Sequence, residues 1–260
     1  MIRRSLIFAY GVACYALFFA TFLYAIGFIG NFLVPRSIDG APQMDFASAL
    51  LIDLGLLALF AIQHSVMARP AFKRVLTRWI PEPAERSTYV LASSAALIAL
   101  FYYWQPLGGS VWNVTDPTAR GVLYGLYAFG WALLLYVTFL INHFDLFGLR
   151  QVWLALVDRP YTPVGFQMPA LYRLVRHPLY VGWIVIFWAT PSMSVTHLVF
   201  ALATTAYILV AIRFEERDLE TQLGEDYREY KRHVPMLVPF TKRGGRPADH
   251  SAISRVQQLR

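Results

Sequence analysis

The sequence is dominated by apolar stretches that are long enough to cross a lipid bilayer. A crossing helix needs about 20 predominantly apolar residues, and stretches of that order begin near Leu6, Phe46, Thr88, Gly121 and Leu179. Only 15% of the 260 residues are charged, whereas soluble domains carry about 25%. The pattern predicts an all-α fold, a polytopic integral membrane helical bundle. Soluble binding modules and the usual soluble enzyme folds are excluded.

Five helical segments are predicted, and the last is predicted to be a helical hairpin. The final apolar run is too long for one comfortable crossing at about 1.5 Å per residue. Pro191 and small polar neighbours interrupt it, so two antiparallel helices joined near 191–195 fit better. The predicted segments are 6–30, 46–67, 88–104, 121–141 and 179–212.

The basic residues are distributed unequally between the two sides of the membrane. If the N-terminus is cytosolic, all but two of the 23 Lys and Arg residues lie on the cytosolic side, and only Arg36 and Arg120 lie outside. Since this bias sets the orientation of membrane proteins, we expect a cytosolic N-terminus. The net charge of +7 then reflects topology, and nucleic acid is not an expected partner. Residues 1–240 are predicted to form the membrane domain and 241–260 a polar cytosolic tail.

Polar side chains collect at the predicted cytosolic ends of the helices. Charged groups near the bilayer are costly and usually functional, so these ends predict a polar chamber at the inner interface. Each of these residues also has a structural interpretation. An arginine at a helix end often extends to the interface, a lone histidine often caps a helix end, and Pro178 suits the first turn of any helix. The chamber residues are His64, Arg69, Asn142, His143, Asp145, Arg173, Arg176, His177, Tyr180, Arg213, Glu215 and Glu216.

Several familiar chemistries are excluded by missing motifs. The sequence has no dinucleotide-binding, Walker or nucleophile-elbow motif. No two histidines lie four residues apart on one helix, so no metal site is expected. The single cysteine, Cys14, cannot form an internal disulfide and is interpreted as a packing residue.

Two motifs in the last third of the chain resemble a family of membrane enzymes. The motif "RHPLYVG" (176–182) and the pair Glu215–Glu216 with "GEDYREYKRHVP" (224–235) are similar to the integral-membrane methyltransferases related to isoprenylcysteine carboxyl methyltransferase and phospholipid N-methyltransferases. In the N-terminal two-thirds, "QHSVMARPAFK" (63–73) and "INHFDLFGLRQVW" (141–153) resemble the branch of bacterial membrane methanethiol S-methyltransferases. The resemblance implies S-adenosylmethionine as cofactor, a small-molecule thiol as substrate and a site facing the cytosol of a bacterial inner membrane.

The resemblance also implies which residues hold the cofactor. An arginine, Arg173 or Arg176, is expected to bind the methionine carboxylate, and Glu215 the ribose hydroxyls or the amino group. Carboxyl-methylating members have an arginine four residues before the first glutamate, where this chain has Ala211, and its absence suits a small neutral thiol. The implied cofactor residues are Val164, Gly165, Phe166, Gln167, Tyr172, Arg173, Arg176, His177, Pro178, Leu179, Tyr180, Glu215 and Glu216.

The thiol substrate must lose a proton, and this requirement suggests candidate catalytic residues. Small alkanethiols titrate above about 8.5, so a base accelerates methyl transfer. His64 and His143 are the candidates, with Asp145 as an orienting partner. Alternatives to methanethiol as the acceptor are another small thiol, an isoprenoid or a lipid. Alternatives to this class of enzyme are a non-catalytic membrane subunit or transporter of this fold and, more remotely, a reductase. The sequence carries no signal for an oligomeric state.

Overall fold

The computed structural model describes residues 1–162 and 171–241, apart from the side chain of Gln222. The predicted cofactor residues Val164, Gly165, Phe166 and Gln167, and residues 242–260 of the predicted tail, lie outside the described residues. The helices are α1 (Ile2–Gly30), α2 (Phe46–Met67), α3 (Pro70–Leu76), α4 (Glu85–Tyr103), α5 (Pro117–Ile141), α6 (His143–Leu146), α7 (Leu149–Leu156), α8 (Leu171–Leu174), α9 (Pro178–Trp188), α10 (Val195–Leu223) and α11 (Glu225–His233). A 3-10 turn covers Glu82–Ala84, and the short strands β1 (Ser110–Asn113) and β2 (Ser192–Ser194) pair antiparallel.

The helical membrane architecture predicted from the sequence is confirmed. Among the described residues, four helices are long and apolar enough to cross a membrane: α1, α2, α5 and the Val195–Thr221 part of α10. The shorter α9 is also apolar. The predicted third segment forms α4, a helix of 19 residues that is not one of these four, because serines and other polar residues occupy much of its first half.

Local capping chemistry explains where the long helices begin and end. The Asp45 carboxylate accepts a hydrogen bond from the Ser48 N–H at 3.0 Å and caps α2, which has the predicted bounds. Asn31, in a left-handed conformation with φ 59°, ends α1. Helix α5 begins four residues earlier than predicted, because Asp116 accepts from the Ala119 N–H at 2.8 Å and Pro117 suits the first turn.

The predicted hairpin is present as α9 and α10. Near the start of α9, the Tyr180 hydroxyl donates to Glu215 of α10 at 3.3 Å. At its end, the Trp188 indole N–H donates to the Thr205 hydroxyl at 3.0 Å. Since later residues of α9 meet earlier residues of α10, the two helices run antiparallel.

The chain divides into two compact units. The first unit comprises Met1–Arg120, Phe144–Thr162 and Thr190–Ala203, and in it α1 packs against α4 and α7, and α2 packs against α4. The described part of the second unit comprises Gly121–His143 and the ranges 171–189 and 204–241.

A buried acidic residue joins two elements of the first unit. Asp53, in the middle of α2, is fully buried, and its Oδ1 accepts a hydrogen bond from the Gln105 N–H at 2.8 Å. The chain just past α4 is thereby held against α2. The carboxylate of Asp53 thus has a backbone partner.

In the second unit, α5 and α9 approach each other at two glycines. A Cβ atom on Gly130 would lie 2.9 Å from Ile186 Cγ1 and 3.2 Å from the Gly182 carbonyl oxygen. Small residues permit such close approach between membrane helices. The last residue of the "RHPLYVG" motif therefore has a packing role.

Candidate active site

The segment in front of α9 is held by the chain that follows α11. The Arg176 N–H donates to the Pro235 carbonyl at 2.9 Å, and the His177 N–H donates to the Met236 carbonyl at 3.2 Å. Pro178, which has no N–H, then opens α9. The "RHPLYVG" motif and the "VP" at the end of the second motif are therefore in direct contact.

A buried carboxylate lies at the centre of the site. Glu216 Oε1 accepts from Arg176 Nε at 2.8 Å and lies 3.1 Å from His177 Nε2. Its other oxygen, Oε2, lies 2.9 Å from the Lys231 ammonium. The side chains of Arg176, His177 and Glu216 are all 7% exposed or less. A carboxylate buried this deeply requires such partners.

Arg176 connects this cluster to the end of α11. Beyond its bond to Glu216, Nη1 donates to the Val234 carbonyl at 2.5 Å and to the Lys231 carbonyl at 3.2 Å. These contacts give the guanidinium a structural role within the protein. The expected role of Arg176 toward a cofactor carboxylate stays a prediction, and Arg173, which is exposed at the end of α8, is the more accessible cation.

The neighbouring carboxylate, Glu215, is in a different environment. Its side chain is 48% exposed, and Oε2 accepts from the Tyr180 hydroxyl at 3.3 Å and lies 3.9 Å from His177 Nδ1. Consecutive residues of a helix point about 100° apart. Glu216 therefore faces the interior, while Glu215 presents an accessible carboxylate beside a phenol and an imidazole.

A tyrosine-rich cluster supports the site from the side of α11. Tyr227 and Tyr230 are buried with residues of α10 and the chain after α11, and Tyr172 packs against them. The Tyr230 hydroxyl donates to the Tyr172 carbonyl at 2.7 Å. Burial, with a smaller effect of the Glu215 charge, raises the pKa of Tyr172 to about 12, so its phenol is neutral. Gly224, with φ 59° and ψ −129°, makes the sharp junction between α10 and α11.

The candidate base His143 also belongs to the second unit. It is 4% exposed, and its ring stacks on Phe139 with the centroids 4.4 Å apart. Because the Thr138 hydroxyl donates to the Leu135 carbonyl at 2.7 Å, its oxygen accepts from His143 Nδ1 at 2.9 Å. This bond places the proton on Nδ1 and the lone pair on Nε2. Burial lowers the pKa of His143, so the ring is neutral near pH 7.

The other candidate base, His64, belongs to the first unit. Its ring lies between Phe60, with centroids 5.1 Å apart, and Tyr89, whose hydroxyl is 2.9 Å from Nε2. The Ser93 hydroxyl lies 3.3 Å from Nδ1. Tyr89 and Ser93 were not predicted from the sequence. They lie four residues apart on α4 and share one face of that helix.

Asp145, the proposed orienting residue, lies in the first unit and has an arginine partner. Arg150 donates to its Oδ1 at 2.9 Å, and the Tyr161 hydroxyl donates to Oδ2 at 3.2 Å. Arg150 also donates to the Thr162 carbonyl at 2.7 Å. Asp145 and Arg150 thus hold the chain at 161–162, and a catalytic part for Asp145 or His64 stays a prediction.

Lys231 is a further residue of the site that was not predicted from the sequence. Its ammonium contacts both Glu216 and Glu220 at 2.9 Å. The available signal was its position directly after Tyr230, a residue of the second motif whose side chain faces inward. Within the second unit, the predicted residues Arg176, His177, Tyr180, Glu215 and Glu216 do come together.

Fold and site together define a multi-pass helical membrane protein with a buried ion-pair cluster beneath an accessible carboxylate. A methanethiol S-methyltransferase from Crocosphaera subtropica is 55% identical over 239 residues, covering 92% of this chain and 94% of that protein. One from Mycobacterium tuberculosis is 51% identical over 241 residues, covering 93% and 99%. Methanethiol S-methyltransferase 2 of Bradyrhizobium diazoefficiens is 50% identical over 239 residues, covering 92% of each chain. The chain belongs to the methanethiol S-methyltransferase family.

Other comparisons returned no match. No family model matches the sequence, and no solved structure matches it.

Proposed function

We propose that this chain is a membrane methyltransferase that uses S-adenosylmethionine to convert methanethiol to dimethyl sulfide. Membership of a family whose relatives carry that activity in their names supports the acceptor. The observation that carries the site assignment is the position of Glu215, an accessible carboxylate held beside Tyr180 and His177. The site faces the cytosol of a bacterial inner membrane, in keeping with the distribution of basic residues.

The chemistry of the site residues fits S-adenosylmethionine. The carboxylate of Glu215 can accept hydrogen bonds from the ammonium group and the ribose hydroxyls of that molecule. An exposed arginine such as Arg173 can bind the carboxylate of the cofactor. The phenols of Tyr172 and Tyr180 add hydrogen-bond donors, and that of Tyr172 is neutral because its pKa is raised to about 12. His177, Pro178 and Leu179 form the start of α9 beside these groups.

The chain's own residues bind and orient the reactants and accept a proton. When bound, S-adenosylmethionine supplies an activated methyl group on a sulfonium. Displacement at that carbon requires alignment of the sulfur nucleophile, and alignment alone supplies a large part of a rate enhancement. Apolar helices admit an apolar thiol from the bilayer and keep water away from the reacting atoms.

Removal of the thiol proton falls to a neutral base. His143 has the required form, because its Nδ1 hydrogen bonds to Thr138 and its lone pair is on Nε2. Its lowered pKa keeps it unprotonated at neutral pH. His64 is the second candidate, and Asp145 is retained as a candidate orienting residue.

The test is headspace gas analysis of cells that express the chain and receive methanethiol. Wild-type cells are expected to release dimethyl sulfide, and cells expressing Glu215→Ala are expected to release none above background. A wild type that makes no dimethyl sulfide, yet binds S-adenosylmethionine after purification, would refute methanethiol as acceptor and point to another thiol or a lipid. A wild type that binds no S-adenosylmethionine would refute the cofactor and leave a non-catalytic membrane subunit.

A further inference from the structure

A short helical segment follows α2 directly and carries exposed cations beside exposed apolar side chains. Helix α3 begins three residues after α2 ends at Met67. The N–H groups of Trp79 and Ile80 donate to the Leu76 carbonyl at 3.0 Å and 3.2 Å, so the helical turn continues beyond the end of α3. Residues 70–80 therefore form one helical segment, which lies where α2 leaves the membrane.

One side of the 70–80 segment is held against the first unit. The Lys73 ammonium lies 3.8 Å from Glu85 Oε1, in the first turn of α4. Helix α3 also packs against α2, and Phe72 and Leu76 are half-buried. The segment is thereby fixed at the level where α2 ends and α4 begins.

The other side of the segment is exposed and has two kinds of side chain. Arg74 and Arg78 are exposed and lie four residues apart, so they share one side of the helical turn. Val75 and Trp79, also four residues apart, are 51% and 85% exposed. Within the part of the chain that the structure describes, neither guanidinium has an ion pair, whereas Lys73 has one. Two uncompensated cations therefore lie beside two apolar side chains.

The lipid bilayer accounts for both parts of this surface. The 22 residues of α2 span about 33 Å, close to the thickness of about 30 Å of the hydrocarbon core, so α3 begins at the headgroups. Tryptophan is enriched at that level, because its ring is apolar and its N–H can donate to a polar group. A guanidinium binds phosphate through two parallel N–H donors. A zwitterionic headgroup carries its own cation, so an anionic phospholipid is the better match for Arg74 and Arg78.

We propose that Arg74, Arg78 and Trp79 form a binding site for an anionic phospholipid in the leaflet at the end of α2. The two guanidinium groups bind the lipid phosphate, and Trp79 and Val75 contact the upper part of the acyl chains. Because a free phosphate ion would leave both apolar side chains in water, the surface fits a lipid and not a soluble anion. The site is separate from the residues assigned to the cofactor and the thiol, and it does not depend on the proposed function.

The experiment measures which lipid collects at the 70–80 segment. The full chain with Cys14→Ala and Ala71→Cys carries a fluorophore at position 71, which is exposed, one turn before Arg74. It is placed in phosphatidylcholine nanodiscs that contain a small fraction of spin-labelled phosphatidylglycerol or, in parallel, of spin-labelled phosphatidylcholine as quencher. Stronger quenching by phosphatidylglycerol is expected and gives its local enrichment. Arg74→Gln and Arg78→Gln are each expected to lower this enrichment about fivefold.

The matched control is Arg232→Gln, which removes the same charge from α11. Arg232 pairs with Glu225, so the enrichment at position 71 is expected to stay unchanged. The arginines of the proposed site are exposed, so the unfolding temperatures of their variants should equal that of the wild type. Should the double variant Arg74→Gln/Arg78→Gln not fold, the two single variants decide the same point.

Three results would overturn the proposal. Equal quenching of the wild type by the two lipids would mean that no anionic lipid collects at the segment. Unchanged enrichment in the folded double variant Arg74→Gln/Arg78→Gln would mean that other cations attract the lipid. Loss of the enrichment in inorganic phosphate, compared with chloride at equal ionic strength, would assign the two guanidinium groups to a soluble anion.

Discussion

Arg176 and Glu216 lie 40 residues apart in the chain and form a buried ion pair, with Nε and Oε1 at 2.8 Å. The pair joins the segment before α9 to α10, and Arg176 also binds the carbonyls that end α11. The "RHPLYVG" motif, the glutamate pair and the "VP" of the second motif are thereby joined by direct contacts. Their joint presence in the sequence has a direct physical cause.

Truncation of the two neighbouring glutamates is predicted to have different effects on stability and on cofactor binding. Glu216→Ala leaves the buried guanidinium of Arg176 without its carboxylate, which costs about 3–5 kcal/mol of stability. Glu215→Ala removes a half-exposed group, so we expect less than about 1 kcal/mol but loss of S-adenosylmethionine binding. Thermal unfolding in detergent measures the first effect, and calorimetric titration measures the second.

Each glutamate variant is the control for the other. Equal destabilisation by Glu215→Ala and Glu216→Ala would contradict the division of roles between the accessible and the buried carboxylate. Wild-type affinity for S-adenosylmethionine in Glu215→Ala would remove Glu215 from the proposed cofactor site.

The contact between α5 and α9 is predicted to tolerate no side chain at Gly130. In Gly130→Ala the new Cβ would meet Ile186 Cγ1 at 2.9 Å, and overpacking of this kind costs about 1–3 kcal/mol. The control is Gly125→Ala on the same helix, where no atom of the described residues lies within 4 Å of the new Cβ. Melting temperatures of the two variants should differ, and equal values would argue against the close helix contact.

The turn between α10 and α11 is predicted to require glycine. Gly224 has φ 59° and ψ −129°, a backbone conformation that costs other residues about 1–3 kcal/mol. Nothing in the described residues would obstruct its Cβ, so any loss of stability in Gly224→Ala reports backbone strain. An unfolding temperature equal to the wild type would show that the junction relaxes.

The long apolar helices were predictable because their signals are local. Phe46–Met67 has the predicted bounds, since an aspartate cap precedes a continuous apolar run. Helix α5 begins earlier than predicted because Asp116 before Pro117 is a capping signal. A boundary placed from apolar residues alone does not include that signal. Strands β1 and β2 were not predicted, because Ser110–Asn113 and Ser192–Ser194 meet only through tertiary contact.

The site was predictable as a set of residues and not as a set of roles. The resemblance gathered Arg176, His177, Tyr180, Glu215 and Glu216, and the structure brings them together. Sequence alone does not distinguish Glu215 from Glu216, since either neighbour can face inward until the helix is packed. Lys231 was missed for the same reason, as a lysine on an amphipathic helix usually faces water.

The orientation of the chain predicts which loops an impermeant reagent reaches from outside the cell. Gln43→Cys, between α1 and α2, should be labelled by a membrane-impermeant maleimide in intact cells. Arg74→Cys, in α3, should be labelled only after lysis. Both positions are exposed, and Cys14→Ala removes the single native cysteine, which is buried. The reverse labelling pattern would invert the predicted topology.

Acid is predicted to destabilise the protein through His143. Its pKa in the folded state lies below the ordinary value, because burial disfavours the charged ring. The unfolded chain, in which histidine titrates near 6.5, therefore binds this proton at a higher pH than the folded chain does. The contribution to stability is fully present above about pH 6.5 and is lost as the pH falls toward the lowered folded value.

The measurement is the unfolding temperature in detergent between pH 8 and pH 5. His143→Gln keeps a polar side chain next to Thr138 but does not titrate, so its unfolding temperature should fall less steeply with acid than that of the wild type. Other groups contribute equally to both slopes and cancel in the comparison. Parallel slopes would mean that His143 binds its proton equally well in the folded and unfolded chains, and burial would then not be what keeps the proposed base unprotonated.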